Sequence, residues 1–151
     1  MEKTVHIENT SDDSYAKVLQ KIQEEGICPF CEENFLKHHT KPIIFKGEHW
    51  ILTENFKPYP GTTNHLLIVS RVHVHHFKEL PDEALTEFFR IVVPELEKRG
   101  IVGGGIFMRF GDTDFTFSSV GHLHGQLVVG VKRDHNTEPL LVPLGNKKKI
   151  I

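Results

Sequence analysis

A chain of 151 residues, 38% hydrophobic and 25% charged, fits one globular domain with a core of ordinary size and is short for two. A formal net charge of -2 and a pI of about 6.6 give no electrostatic reason to expect a nucleic-acid or membrane partner. Residues 1–14, MEKTVHIENTSDDS, hold no apolar leader segment, and no window approaches the ~18 apolar residues of a membrane span, so the expectation is a soluble, cytoplasmic protein.

Ser11 to Glu25 predicts an amphipathic helix, with Ser11 or Asp12 as its cap, Tyr15, Val18, Leu19 and Ile22 at helical spacing, and Gly26 as its stop. The tetrapeptide Cys28-Pro29-Phe30-Cys31 follows directly. From Pro42 to Thr53, IIFKG and HWILT around Gly47 and Glu48 predict a hairpin. Asn55 to Asn64 contains Pro58, Pro60 and Gly61 and reads as a loop. His65 to Ser70, HLLIVS, is a continuous apolar run that predicts a strand buried on both faces. A histidine-rich RVHVHHF stretch comes next. Pro81 to Arg99 carries Leu85, Phe88, Phe89, Val92 and Leu96 on one helical face, with Pro94 expected to kink it. Ile106 to Phe110 predicts a strand, Gly111 to Gly121 a loop, and Leu123 to Val131 the last strand. The sequence therefore predicts an α+β domain over residues 1–151, with a mostly antiparallel sheet of about five strands and two main helices. Its expected core covers 27–131, and the basic end, 145–151, reads as a solvated tail.

The chain has 11 histidines but only two cysteines. Two thiolates three residues apart can grip one zinc ion, with two further ligands needed from the histidines to complete a tetrahedron. A redox reading of the same pair requires it to follow a strand and open a helix, whereas here it follows a predicted helix. Two unliganded thiols in a turn are the bland alternative.

In GHLHGQLVVG, 121–130, the period-2 alternation of a strand turns His122, His124 and Gln126 to one face and Leu123, Gly125 and Leu127 to the other. Three readings stand. His124 can be a nucleophile toward phosphorus, with the Gln126 amide donating to a phosphoryl oxygen. The H-x-H pair can hold a catalytic metal, as in an oxygenase, although no carboxylate partner is placed beside it and only His135 follows. Or both histidines are hydrogen-bonded structural residues.

These residues resemble the histidine-triad (HIT) superfamily of nucleotide hydrolases and transferases. HLHGQLVV, 122–129, is similar to the family motif of alternating histidines, with Gln126 where most members carry the third; this H-x-H-G-Q form resembles the galactose-1-phosphate uridylyltransferase and diadenosine tetraphosphate phosphorylase branches. HLLIVSRVH, 65–73, resembles a family segment, Ser119 stands three residues before the first motif histidine, and Cys28 and Cys31 sit where zinc-binding members keep a Cys pair. The resemblance implies His124 as nucleophile, forming a covalent nucleotidyl-histidine, and a structural zinc held by Cys28, Cys31, His73 and His122. It places Ser119 and Gln126 at the phosphate, Asn55 at the ribose and His65 beside the site. It also implies a nucleotide or dinucleotide substrate and a homodimer.

Two departures carry consequences. Gln126 cannot transfer a proton, which favours a longer-lived intermediate and transfer to an acceptor such as phosphate or a sugar phosphate. RFGDTDFTFSS, 109–119, lacks the asparagine and Gly-Gln pair usual there, leaving Arg109 and Asp112 as substitutes for substrate contacts. His38, His39, His49, His75 and His76 match nothing in the family and read as surface histidines. The leading expectation is an enzyme acting at the α-phosphorus of a nucleoside phosphoanhydride or phosphoramidate. Its rival is a zinc-stabilised nucleotide-binding or regulatory module without turnover.

Overall fold

A computed structural model describes residues 3–10 and 12–151. Helix α1, Asp13–Glu25, is capped by the Asp12 carboxylate, which accepts from the Tyr15 N–H at 2.8 Å, and stops at Gly26 in the left-handed region with φ 67°. Ser11, the other expected cap, lies outside the described residues. Helix α2, Glu32–His38, was not anticipated: seven residues give too few turns for a periodic signal. Strands β1, Ile43–Lys46, and β2, Trp50–Glu54, form the expected hairpin, and β3 is Asn64–Ser70. Helix α3, Asp82–Lys98, runs unbroken past Pro94. Strand β4 is Gly105–Arg109, α4 is a single turn over Thr113–Thr116, and β5 is His124–Val129. Short 3-10 turns at Ile7–Asn9 and Phe77–Glu79 complete the chain.

The five strands form one sheet in the order β1-β2-β3-β5-β4, every neighbouring pair antiparallel. The α+β architecture and the strand number are those the sequence predicts. Each face is covered, so β3 is buried from His65 to Ser70. On one face Trp50, Leu52, Leu66, Ile68 and Leu127 pack against Ala84, Phe88, Ile91 and Val92 of α3. The Trp50 indole N–H donates to the Ala84 carbonyl at 2.7 Å, so the buried ring keeps its polar partner. On the other face Ile51, Leu67 and Val69 pack against Leu19 and Ile22 of α1, Phe30, and Phe35 of α2. Val5 joins this core by bridging to Val120.

Gly125 positions the last strand. A Cβ there would stand 2.5 Å from Cζ of Phe88, so the missing side chain is what lets α3 press directly on β5. His124 and Gln126, on either side of it, consequently turn to the opposite face, among α1, Phe30 and the loop after β2.

Candidate active site and metal-ligand cluster

The expected row of His122, His124 and Gln126 divides. Strand β5 begins at His124; His122 precedes it and turns its ring toward the cysteine pair, while His124 and Gln126 face a cleft of about 510 Å³.

His122 donates its Nε2–H to the Ser70 carbonyl at 2.7 Å. That bond fixes the tautomer, so Nδ1 carries the lone pair. Nδ1 lies 3.4 Å from Cys28 Sγ, 3.9 Å from Cys31 Sγ and 3.2 Å from His73 Nδ1, and Cys31 Sγ lies 3.3 Å from His73 Nδ1. All four ligand atoms fall within 4.8 Å of one another. A tetrahedron with metal–sulfur bonds of about 2.3 Å and metal–nitrogen bonds of about 2.0 Å has edges of roughly 3.3–3.8 Å, which these separations approximate. The donor set fits zinc. Burial holds the His122 imidazole down to about 4, so it is neutral and able to ligate. Burial pushes both thiols up, Cys31 to about 12 with help from the neighbouring Cys28; a cation inside the cluster is what would favour the thiolates. Cys31 stands at the N-cap position of α2, so the pair does open a helix, but it follows α1 rather than a strand as a redox motif would require.

His124 donates its Nδ1–H to the His122 carbonyl at 2.6 Å, which leaves the lone pair on Nε2. Phe30 meets the ring edge-on, with centroids 4.9 Å apart, and burial, reinforced by the positive Arg109, pushes its pKa down to about 4. A neutral imidazole with a free Nε2 is a nucleophile at pH 7.

Ser119, Asn55, Arg109 and Gln126 all line the same cleft as His124. The Ser119 side chain bonds that of Tyr15. Arg109 turns its guanidinium onto the carbonyl of Pro143, with Nε 3.1 Å away. Asp112 lies outside the cleft that His124 lines, and its carboxylate accepts from the Asp114 N–H at 2.9 Å. His65 is likewise absent from the cleft wall: it sits buried behind Gln126, 2.5 Å from Oε1 of that amide. Of the histidines read as surface residues, His39 is buried, stacked on Phe35 at 4.6 Å and bonded to Thr53 Oγ1 at 2.7 Å. A His-His-Thr stretch between Lys37 and Lys41 gives no sequence sign of that.

Sequence reasoning missed the walls. Asn9, Thr10 and Tyr15 close one side of the cleft, and Leu141 and Pro143 border it from the C-terminal segment. None lies near the motif in sequence; the first segment is drawn in by the pairing of Val5 with Val120 and by the bond from the Asn9 amide to the Ser118 carbonyl at 2.8 Å.

No protein-family model matches the chain, and no curated protein matches it by sequence. Its structure is similar to that of a HIT family hydrolase from Clostridium thermocellum, with a TM-score of 0.57 and 22% identity over 76% of this chain and 96% of the other. A histidine triad nucleotide-binding protein from Candida albicans is similar with a TM-score of 0.56 and 16% identity, covering 75% of this chain and 87% of that one. A zinc-bound histidine triad family protein from Mycobacterium smegmatis gives 0.54 and 18%, covering 73% and 79%. The sheet, the helix packing and these structural likenesses together establish that this chain has the histidine-triad fold.

Proposed function

We propose that this chain is a nucleotide hydrolase or nucleotidyltransferase that acts at the α-phosphorus of a nucleoside phosphoanhydride or phosphoramidate through a covalent nucleotidyl-His124. The observation that carries this reading is the 2.6 Å bond from His124 Nδ1–H to the His122 carbonyl, which leaves an unprotonated Nε2 in the cleft. The structural neighbours described as a hydrolase and as a nucleotide-binding protein support it.

The Nε2 lone pair attacks phosphorus, an N–P bond forms, and the bond to the leaving group breaks with its electron pair. The leaving group takes its proton from solvent, because Gln126 has none to transfer. The positive charge that develops on the His124 ring is stabilised by the Nδ1–H bond to the His122 carbonyl. Water or a second acceptor then attacks phosphorus, gives up its proton to solvent, and returns His124 as neutral imidazole. Gln126 and Ser119 hold the phosphoryl oxygens, and Asn55 faces the sugar.

Cys28, Cys31, His73 and His122 would hold a structural zinc, which with four protein ligands has no open position and supplies cross-linking rather than reaction chemistry. It would tie the turn after α1 and the segment after β3 to the start of β5. We also assign a homodimer: β4 is an edge strand with Ile106 exposed, and α3 exposes Phe89 and Val93. Light scattering at twice 17.3 kDa checks that assignment.

The experiment is intact-protein mass spectrometry after brief exposure to a nucleoside phosphoramidate, a nucleotide sugar or a dinucleoside polyphosphate. An acid-labile adduct of one nucleotidyl group, absent from His124→Ala, supports covalent transfer and identifies the nucleoside by its mass. Tight nucleotide binding with neither adduct nor product would select the non-catalytic binding module instead.

A further inference from the structure

Gln126 poses a question that its position in the cleft leaves open. An amide has a donor end and an acceptor end of nearly the same shape, and only the NH2 end can stabilise a phosphoryl oxygen. The surrounding hydrogen bonds decide which end faces the cleft. Pro58 and Pro60 have no amide hydrogen, so the Tyr59 N–H is the sole backbone donor of residues 58–60. It is directed at His65 Nδ1, 3.1 Å away. Nδ1 must therefore be the acceptor, and neutral His65 carries its hydrogen on Nε2. That Nε2 is 2.5 Å from Gln126 Oε1, a separation only a donor–acceptor pair tolerates. Asn55 Nδ2 lies 3.1 Å from the same nitrogen, but the Lys57 N–H occupies Asn55 Oδ1 at 2.9 Å, so Asn55 turns its NH2 to His65; that approach is a contact between two donors rather than a hydrogen bond, and Gln126 Oε1 is the acceptor for the Nε2 hydrogen. Burial also holds His65 neutral.

We propose that His65 is a positioning residue: its Nε2–H grips the Gln126 carbonyl and so turns the Gln126 NH2 toward the phosphoryl oxygen of the group bound at His124. The proposal rests on the nucleotidyl-transfer reading for its consequence, but not for its geometry. His65 then touches no substrate, in keeping with its place behind the cleft wall. A gripped amide also differs from a third histidine in kind, since it offers a fixed donor with no proton to lose.

The test has two arms on the whole chain. Nitrogen-15 NMR of the imidazoles at pH 7 should show His65 as the Nε2–H tautomer; the Nδ1–H form or a charged ring overturns the proposal. In the second arm adenosine 5′-phosphoramidate is the probe and the rate of adduct formation is the readout. His65→Leu should slow it by about ten- to a hundredfold, with the half-saturating concentration changed less than about threefold, as expected for a lost bond to a charged oxygen. His65→Gln, which restores a donor near Nε2, should recover most of that rate. In a Gln126→Ala background His65→Leu should cost less than about twofold, because nothing remains to be positioned. An equal loss in both backgrounds overturns the proposal, since His65 would then act on the substrate or on the fold directly. If the native chain forms no adduct, nucleotidyl transfer is what has failed. The His65 tautomer then decides the amide orientation alone.

Discussion

The backbone carbonyl of His122 accepts the Nδ1–H of His124 at 2.6 Å, while the ring of His122 points its own lone pair at Cys28, Cys31 and His73. One residue therefore belongs to the candidate metal-ligand cluster and also holds the His124 ring. Whatever fixes its ring also fixes the peptide group that sets the neighbouring tautomer. A metal held by the cluster would be coupled to the His124 ring through a single peptide unit, with no second side chain between them.

Purified protein is accordingly expected to hold about one zinc per chain by elemental analysis. Chelation, or Cys28→Ser, should remove it, lower stability by at least about 1 kcal/mol, seen as a fall of a few degrees in Tm, and slow adduct formation in parallel. Metal-free protein that keeps both its Tm and its rate would show that the cluster does not hold His122 in place.

Gly125→Ala tests the contact of α3 with β5. The new Cβ would meet Phe88 Cζ at 2.5 Å, and the cost is expected to be about 1–3 kcal/mol in urea denaturation. Phe88→Leu in the same chain makes room and should recover part of that loss. Full stability of the single variant would mean that α3 shifts freely, and the strand would not then be placed by this packing.

Stability should fall as pH falls from neutrality, and His39 is one cause. Its Nε2–H donates to Thr53 Oγ1, because the Thr53 hydroxyl gives its own hydrogen to the Pro42 carbonyl, and its Nδ1 is buried with no hydrogen-bond partner among the described residues. Burial, with the positive Lys41 adding to it, lowers the His39 pKa below the ordinary 6.5. In the window below that value the unfolded chain binds a proton that the native chain refuses, so stability is lost as pH drops. His39→Leu should show a shallower decline of Tm between about pH 6.5 and 5 than the native chain. Parallel curves would remove His39 from the account.

Arg109→Gln should raise the half-saturating nucleotide concentration by about tenfold, since a guanidinium beside His124 is a natural partner for phosphate. The Pro143 carbonyl holds that guanidinium, and Leu141 near it is 86% exposed. Deleting residues 140–151 should therefore change stability by less than about 1 kcal/mol while lowering the half-saturating concentration, because Arg109 is released. Unaltered affinity in both variants would assign Arg109 to the tail alone.

The strands and the long helix were legible in the sequence because their signals are local: apolar alternation in β2, the unbroken run of β3, and the 3.6-residue stripe of α3. The spacing of Cys28 and Cys31 pointed to a metal-ligand pair, and the histidines that the structure brings to it were named through a family resemblance. What sequence could not show was direction. Period-2 reasoning set His122 beside His124 on one face, yet the strand starts only at His124, so the preceding residue is free to turn its ring to the cysteines. The burial of His39 escaped for a similar reason, and His65 was placed beside the site without its partner, because Thr53 and Gln126 are brought to these rings by α2 and by sheet pairing. The cleft walls come from chain segments at opposite ends of the sequence, which no local pattern connects.

His65, His122 and His124 each take their protonation pattern from a peptide group: the Tyr59 N–H, the Ser70 carbonyl and the His122 carbonyl. A peptide group is the same whatever side chain it bears. The residues that supply these bonds can therefore drift in identity without retuning the rings, and at position 59 only proline would break the setting. A chain sharing 22% of its residues with another of the same fold can in this way keep the backbone frame that sets its own rings.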